Sequence, residues 1–461
     1  NAWPYRDYVI RAFAHDVPYN QFVIEHIAGD LVETPRRRSA NGDNESVVGT
    51  AFYWFSQGKH SPVDIRSEEC DTIDNQLDVL GKTFLGLTIA CTRCHDHKFD
   101  PIRSQDYYAL AGYLQSSRRQ RAILDDSQQT QSIVNRLARI TEDNRRTIEQ
   151  YEAVALLGQV DRLIGLIQGA TEIEEVLRTA WRKRLKETSA RNSADVFHAW
   201  SSLQNQPTTE RFAASRKALV KRLRDVSKVA NSGGNLFADF SADSYRDWFV
   251  NGPAFGQAPS RNGDLILREQ PSPGGSVVSE ILPAGWAHSG LISRRLQGTM
   301  RSPTFTIEKR YVHYRARRVG GRPNPGRALK NGQLHLIVDG FQYIKNPLHG
   351  GLTINVANDG QWRWYRHDVG KLLGSRAYLE VDDEDDGMIV IDRVLFSDAG
   401  PPPEKPNVVV TDMLDDPTIT TAEQLADRYR QLFVECLSLW KEGRLGTIEH
   451  SGDRIAIVNW M

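Results

Sequence analysis

The hydrophobic pattern of this chain changes character at Asn231-Ser232-Gly233-Gly234, and that single break requires two kinds of core in one polypeptide. Before it, apolar residues recur at helical spacing; after it, short β-type runs alternate with Gly, Pro, Asn and Asp. With 461 residues the chain is also too long for one ordinary domain. The expected fold class is therefore multidomain, α plus all-β.

Four parts are expected: a helical domain over residues 1–117, a long helical hairpin or coiled-coil insertion over 118–232, a β-sandwich over 233–398, and a linker with a C-terminal helical segment over 399–461. In the second part Leu156, Val160, Leu163, Ile164 and Ile167 mark one helical stripe, and Phe212, Leu219, Leu223 and Val226 another. These suggest two or three long antiparallel helices. In the third part eight runs read as strands, among them Gln333 to Asp339, Trp362 to His367 and Met388 to Phe396. Eight strands with turn signals between them predict a sandwich of jelly-roll type. Pro401-Pro402-Pro403 stiffens the linker, and Thr420 with Glu423 predicts a capping box for a helix ending near Trp440.

Charge and hydropathy exclude some functions. Lys plus Arg and Asp plus Glu both number 58, so no global field points to nucleic acid. No run approaches the roughly 18 apolar residues needed to cross a bilayer, so no transmembrane segment is expected. The first residue, Asn1, shows neither an initiator Met nor a signal-peptide core, which reads as a processed or truncated chain.

Only four cysteines occur, too few for a disulfide scaffold. Cys70 fits an apolar stripe with Ile73, Leu77, Leu80 and Phe84, and Cys436 fits one with Leu425, Tyr429, Leu432 and Trp440, so both are expected to be buried. The other two stand in Cys91-Thr92-Arg93-Cys94-His95. A C-x-x-C-H run presents two sulfurs to the vinyl groups of haem c and the adjacent imidazole to the iron. The residues alone also allow a chance match, a redox dithiol or half a zinc site. A zinc site lacks a second ligand pair at finger-like spacing, and a thioredoxin-like dithiol would follow a strand, not the helical segment Asp71 to Phe84.

The flanking sequence narrows this choice. Phe84 to Ile102, followed by Asp106-Tyr107-Tyr108, resembles the signature of the planctomycete cytochrome-c-like domain family. Asn1 to Tyr8 and Ala28-Gly29-Asp30-Leu31 are similar to its upstream blocks. The resemblance covers about the first 117 residues. It implies covalent haem c on Cys91 and Cys94, His95 as proximal iron ligand, and a periplasmic, cell-surface or secreted location. It also implies a multidomain parent, with further cytochrome domains or a redox protein as partner, so this chain is expected to be one piece of a longer polypeptide.

The opposite side of the iron is open at this level. None of the four methionines, Met300, Met388, Met413 and Met461, lies in the haem region. His15, His26 and His60 remain, and His60 is favoured because its loop precedes the helix leading to the motif. His97 and Asp96 are the candidates for acid and base work beside the iron, set against a capping or turn role.

The β region resembles, more weakly, discoidin-like or carbohydrate-binding sandwiches. Trp362 and Trp364, two apart, would share one strand face on which sugars stack. Asp382, Glu384 and Asp386 suggest a cation loop for calcium, although Arg393 stands where an EF-hand needs Glu, and a solvated hairpin is the plainer reading. The basic stretch Arg315, Arg317, Arg318, Arg322 and Arg327, and the run Arg36-Arg37-Arg38, read as solvated surface.

Electron transfer outside the cytoplasm is the base expectation, with a glycan or a protein docked by the sandwich. A haem-dependent oxidase or peroxidase on a polysaccharide-related substrate, and a binding protein with a purely structural haem, are the alternatives.

Overall fold

The structure, a computed structural model, describes residues 2–55, 64–117, 122, 124, 128–188, 192–271, 275–320, 332–339, 352–384 and 386–461. It is a multidomain arrangement of helices and antiparallel sheets, and its described residues form three separate hydrophobic cores.

After α1 (Trp3–Ala14), α2 (Tyr19–Ala28) and the short α3 (Ser46–Gly49), the first core forms between α4 (Ile65–Leu80), the turn at Ile89 and α5 (Ser104–Ser116). Pro4 opens α1 where its missing N–H costs nothing, and the Asp64 carboxylate caps α4 by accepting the Ser67 N–H at 3.0 Å. The core itself is small: Ile73, Leu77, Ile89, Tyr107 and Leu114 are its buried members. Around it Trp3, Ile10, Phe13, Tyr19, Leu31, Leu85 and Phe99 are each more than half exposed. Ile73, Leu77, Leu80 and Phe84 are buried as expected, but Cys70 is exposed, because it lies at the edge of that stripe.

The second core is helical and joins distant parts of the chain. Among the described residues of 128–232 there are five helices in place of the two or three long ones expected: α6 (Gln128–Leu157), α7 (Val160–Ile167), α8 (Glu175–Thr188), α9 (His198–Leu203) and α10 (Thr209–Ser232). The long pattern breaks at Gly158 and again after Gln168, where Gly169 turns with φ +97°. Their apolar faces pack with α11 (Val408–Leu414), α12 (Ala422–Lys441) and α13 (Ser451–Trp460). Cys436 is fully buried there. The capping box of α12 falls one residue later than the sequence suggests. Thr421 accepts the Gln424 N–H, and the Gln424 side chain reaches back to the Thr421 N–H, both at 3.2 Å.

The third core lies between two antiparallel sheets. Strands are numbered β1 (Asn235–Ala238), β2 (Phe249–Asn251), β3 (Asp264–Leu267), β4 (Val278–Leu282), β5 (Ala287–His288), β6 (Gly298–Arg301), β7 (Phe305–Thr306), β8 (Tyr311–Gly320), β9 (Gln333–Val338), β10 (Thr353–Asn355), β11 (Arg363–Asp368), β12 (Arg376–Asp383) and β13 (Gly387–Ser397). One sheet runs β1-β13-β8-β11 with β5 beside β13; the other runs β10-β9-β12-β6-β2 with β7 beside β12. Alternate residues point inward, such as Val312, Tyr314 and Ala316 on β8 and Leu334, Leu336 and Val338 on β9. The β3–β4 hairpin leaves this pair of sheets and buries Leu265, Val278 and Ile281 in the helical core.

Candidate haem-attachment site

Helix α4 does not end cleanly. It passes into a π-helical turn, Gly81–Leu85, and Gly86 at φ +68° then redirects the chain. A Cβ on Gly81 would stand 2.9 Å from both the Ile89 side chain and the Leu87 carbonyl oxygen, so only glycine lets the following segment fold back this closely. That segment becomes a short 3₁₀ turn, Ile89–Arg93, which carries Cys91; Cys94 and His95 follow it.

Several bonds fix this segment to the helices on either side. The Arg93 guanidinium pairs with Asp74 of α4 at 3.4 Å, and Asp74 also accepts the Tyr107 hydroxyl of α5 at 2.7 Å. The Asp74 charge holds Arg93 above the usual guanidinium range, and burial with Asp74 raises Tyr107. Tyr108 donates to the Arg93 carbonyl oxygen at 3.0 Å, and the Asp96 carboxylate accepts the Ser104 N–H, at the start of α5, at 2.9 Å. Asp96 is thus a capping group.

The Cys91 and Cys94 thiols are both free and exposed. His95 is exposed too, and its Nδ1 donates to the Asp96 carbonyl oxygen at 2.8 Å. That bond sets the tautomer and leaves Nε2 with its lone pair outward, the form in which an imidazole binds metal. Leu85, Phe99 and Tyr108, beside the motif in sequence or bonded to it, are exposed by 58, 84 and 59 %. Two free, exposed thiols and one exposed imidazole with its Nδ1 engaged are the donor set that a covalently attached haem would use.

The remaining histidines divide. His60 lies outside the described residues. His26 is buried within rings of Tyr5, Tyr8, Phe22, Phe52 and Phe84. Its Nδ1 donates to the Phe22 carbonyl oxygen at 2.7 Å and its Nε2 accepts the Tyr5 hydroxyl at 2.9 Å, so both nitrogens are in use and burial lowers its pKa. His15 is exposed at the C-cap of α1. His97 is held by Thr88 and by the backbone of residues 99 and 100, which leaves it no free nitrogen for catalysis.

Beside this site stands an ion network that sequence reasoning missed. Glu25, 1 % exposed, accepts two bonds from Arg36 at 3.0 and 3.2 Å, one from Tyr8 at 2.8 Å and one from Ser46 at 3.0 Å. Glu45 takes Arg36 at 3.3 Å and Arg11 at 2.7 Å. Arg36 is therefore a partly buried ion-pair partner, unlike the solvated residue its Arg-Arg-Arg run suggests.

In the sheets, Trp362 and Trp364 do share a face, that of Arg315 and Arg317, because Trp364 pairs with Arg315 across β11 and β8. This face is occupied. Arg315 and Arg317 lie 4.6 and 5.1 Å from the Trp362 ring centre, and the Trp286 ring stands edge-on at 4.9 Å. Arg315 pairs with Asp392 and, at 2.8 Å, with Glu404 of the linker; Arg317 pairs with Glu280 of β4 at 2.6 Å. Those arginines belong to a strand and are paired, in place of the solvated loop expected; Arg322 and Arg327 lie outside the described residues. Asp382 and Asp383 are buried in β12, with Asp382 3.1 Å from His335, while Asp386 is exposed at the turn. Among the described residues no group of three His, Cys, Asp or Glu side chains is placed to hold a metal ion, and no helix is long and apolar enough to cross a membrane.

By comparison with family profiles, residues 1–119 match PSCyt2, described as a protein of unknown function (DUF1549), a planctomycete-type cytochrome-like domain family. No curated protein matches the chain. Among solved structures, the Salicylyl-Acyltransferase SsfX3 from a Tetracycline Biosynthetic Pathway is similar at 14% identity over 33% of this chain, which spans 40% of that enzyme's length; the TM-score is 0.17 and carries no argument.

Proposed function

We propose that this chain is an extracytoplasmic haem c protein in which residues 1–117 exchange electrons within a larger redox assembly. The observation that carries the reading is the set of two free, exposed thiols with His95 between them and α5, its Nδ1–H committed to the Asp96 carbonyl oxygen and its Nε2 lone pair outward. When bound, haem supplies one-electron exchange at its iron. The chain's own part is to present Cys91 and Cys94 as attachment points, to orient His95 through Asp96, and to hold the segment on α4 and α5 through Asp74, Tyr107 and Tyr108. Electron transfer is favoured over peroxidase-type catalysis because Asp96 and His97 are both engaged in structural hydrogen bonds. The two-sheet unit is read as the docking module for a protein or glycan.

The test is a reduced pyridine adduct spectrum of the full chain, produced with a c-type maturation system. Wild type is expected to show the thioether-type α band, and replacing both Cys91 and Cys94 by Ala to abolish covalent haem. A colourless wild-type protein ends this reading.

A further inference from the structure

The loop that carries the two cysteines and His95 is closed by a side chain that belongs to none of the expected roles. His97 sits in an exposed stretch, with His95, Asp96, Lys98 and Phe99 all exposed, yet its own side chain is only 6 % exposed. Its Nδ1 accepts the backbone N–H of Asp100 at 2.9 Å and that of Phe99 at 3.3 Å. Those two donors place the ring proton on Nε2, which donates to Thr88 Oγ1 at 3.0 Å.

Thr88 is the residue that starts the 3₁₀ turn, and its carbonyl oxygen accepts the Cys91 N–H at 3.1 Å. At the other end the His97 N–H donates to the Ile102 carbonyl oxygen at 2.8 Å. Thr88 and His97 therefore clasp the ends of a short loop whose interior holds Cys91, Cys94 and His95. Two sulfurs and one imidazole nitrogen must meet three fixed points on a rigid macrocycle, so the freedom removed by the clasp is freedom that attachment would otherwise have to remove.

We infer that His97 is a positioning residue for haem attachment, acting through Thr88 to preset the spacing of Cys91, Cys94 and His95; this rests on the haem reading of the same site. Partners one step removed from a metal ligand typically change metal affinity by about tenfold or more when removed.

The experiment compares the full-length wild type with His97→Ala, Thr88→Val and Thr88→Ser, all matured in the same way. Covalent haem per chain is read by intact mass and pyridine adduct, and the ligand field of the iron by electron paramagnetic resonance. Far-UV circular dichroism establishes that each variant is folded. Thr88→Val keeps the shape of the side chain but removes its acceptor, so it tests the clasp even where His97→Ala fails to fold. The expected result is a haem content about tenfold lower in His97→Ala and Thr88→Val, with altered g values in the residual signal, and wild-type content and g values in Thr88→Ser. Equal loading and identical g values across all four proteins overturn the role of His97 and leave the haem reading intact. A wild type without covalent haem overturns that reading itself.

Discussion

At the scale of single residues, the buried carboxylate of Glu25 ties the stability of the N-terminal helices to pH. Burial pushes its pKa up, but two bonds from Arg36, with Tyr8 and Ser46, more than reverse this, and the carboxyl stays below its ordinary value. A carboxyl depressed in the folded state adds stability above its unfolded pKa of about 4.5 and loses it as pH falls through the lower folded value. The melting temperature is therefore expected to fall as pH drops below about 4.5, and Glu25→Gln to flatten that slope. At neutral pH the same substitution leaves Arg36 with Glu45 alone and is expected to cost about 3 kcal/mol. Calorimetry from pH 3 to 7 checks both; equal slopes for the two proteins would remove Glu25 as the source. None of this was legible in the sequence. Arg36 stands in a run of three arginines that looks like solvated surface, and only its fold-back onto α2 and α3 makes it a partly buried partner of Glu25 and Glu45. The residues proposed for attachment can be named from sequence for the opposite reason: Cys91, Cys94 and His95 owe their relation to five consecutive positions and not to tertiary structure.

Elements are read from sequence where one periodic pattern determines them, and lost where backbone proximity does. Strands such as Gln333–Val338, Arg363–Asp368 and Gly387–Ser397 lie within two residues of their expected bounds, because alternating β-branched and aromatic residues between turn formers leave little choice. Strands β2, β5 and β6 have two to four residues each and carry no such pattern, so the sheets exist there by pairing alone. The contact between α2 and α3 is of the same hidden kind. A Cβ on Gly29 would lie 1.9 Å from the Ser46 carbonyl oxygen and 2.4 Å from that of Glu25, both backbone atoms that cannot turn aside. Gly29→Ala is accordingly expected to push α3 off α2, open the Glu25 network behind it, and destabilise the domain by on the order of 3 kcal/mol. A urea titration followed by tyrosine fluorescence measures this, and an unchanged midpoint would mean that the two backbones are not in contact.

On the scale of the whole molecule, the decisive fact is that residues 128–232 and 408–460 share one core although some 170 residues of sheet separate them in the sequence. Periodicity shows that each segment has an apolar face but not which faces meet, so a hairpin arm and a terminal helix are as far as pattern alone reaches. The β3–β4 hairpin locks the two together. The Val277 N–H donates to Glu152 of α6 at 2.6 Å, and Asn459 of α13 both donates to the Ile281 carbonyl oxygen and accepts its N–H, at 2.7 and 2.9 Å. At the centre of this body the Phe197 ring lies 4.8 Å from Tyr429, 5.8 Å from Phe433 and 4.3 Å from Trp460. Phe197 itself is fully buried, just before α9, while all three of its partners come from α12 and α13. Truncating such a ring costs about 3–5 kcal/mol, a large share of the roughly 5–15 kcal/mol that stabilises a domain. If the two segments are one cooperative body, Phe197→Ala must weaken both by the same amount. Amide hydrogen exchange is expected to accelerate in parallel in α7 and α12, while the small core around Ile73 and Leu77, which shares no member with this one, keeps its wild-type rates. Faster exchange in α7 with an unchanged α12 would show instead that the helices joined here in space unfold as separate units.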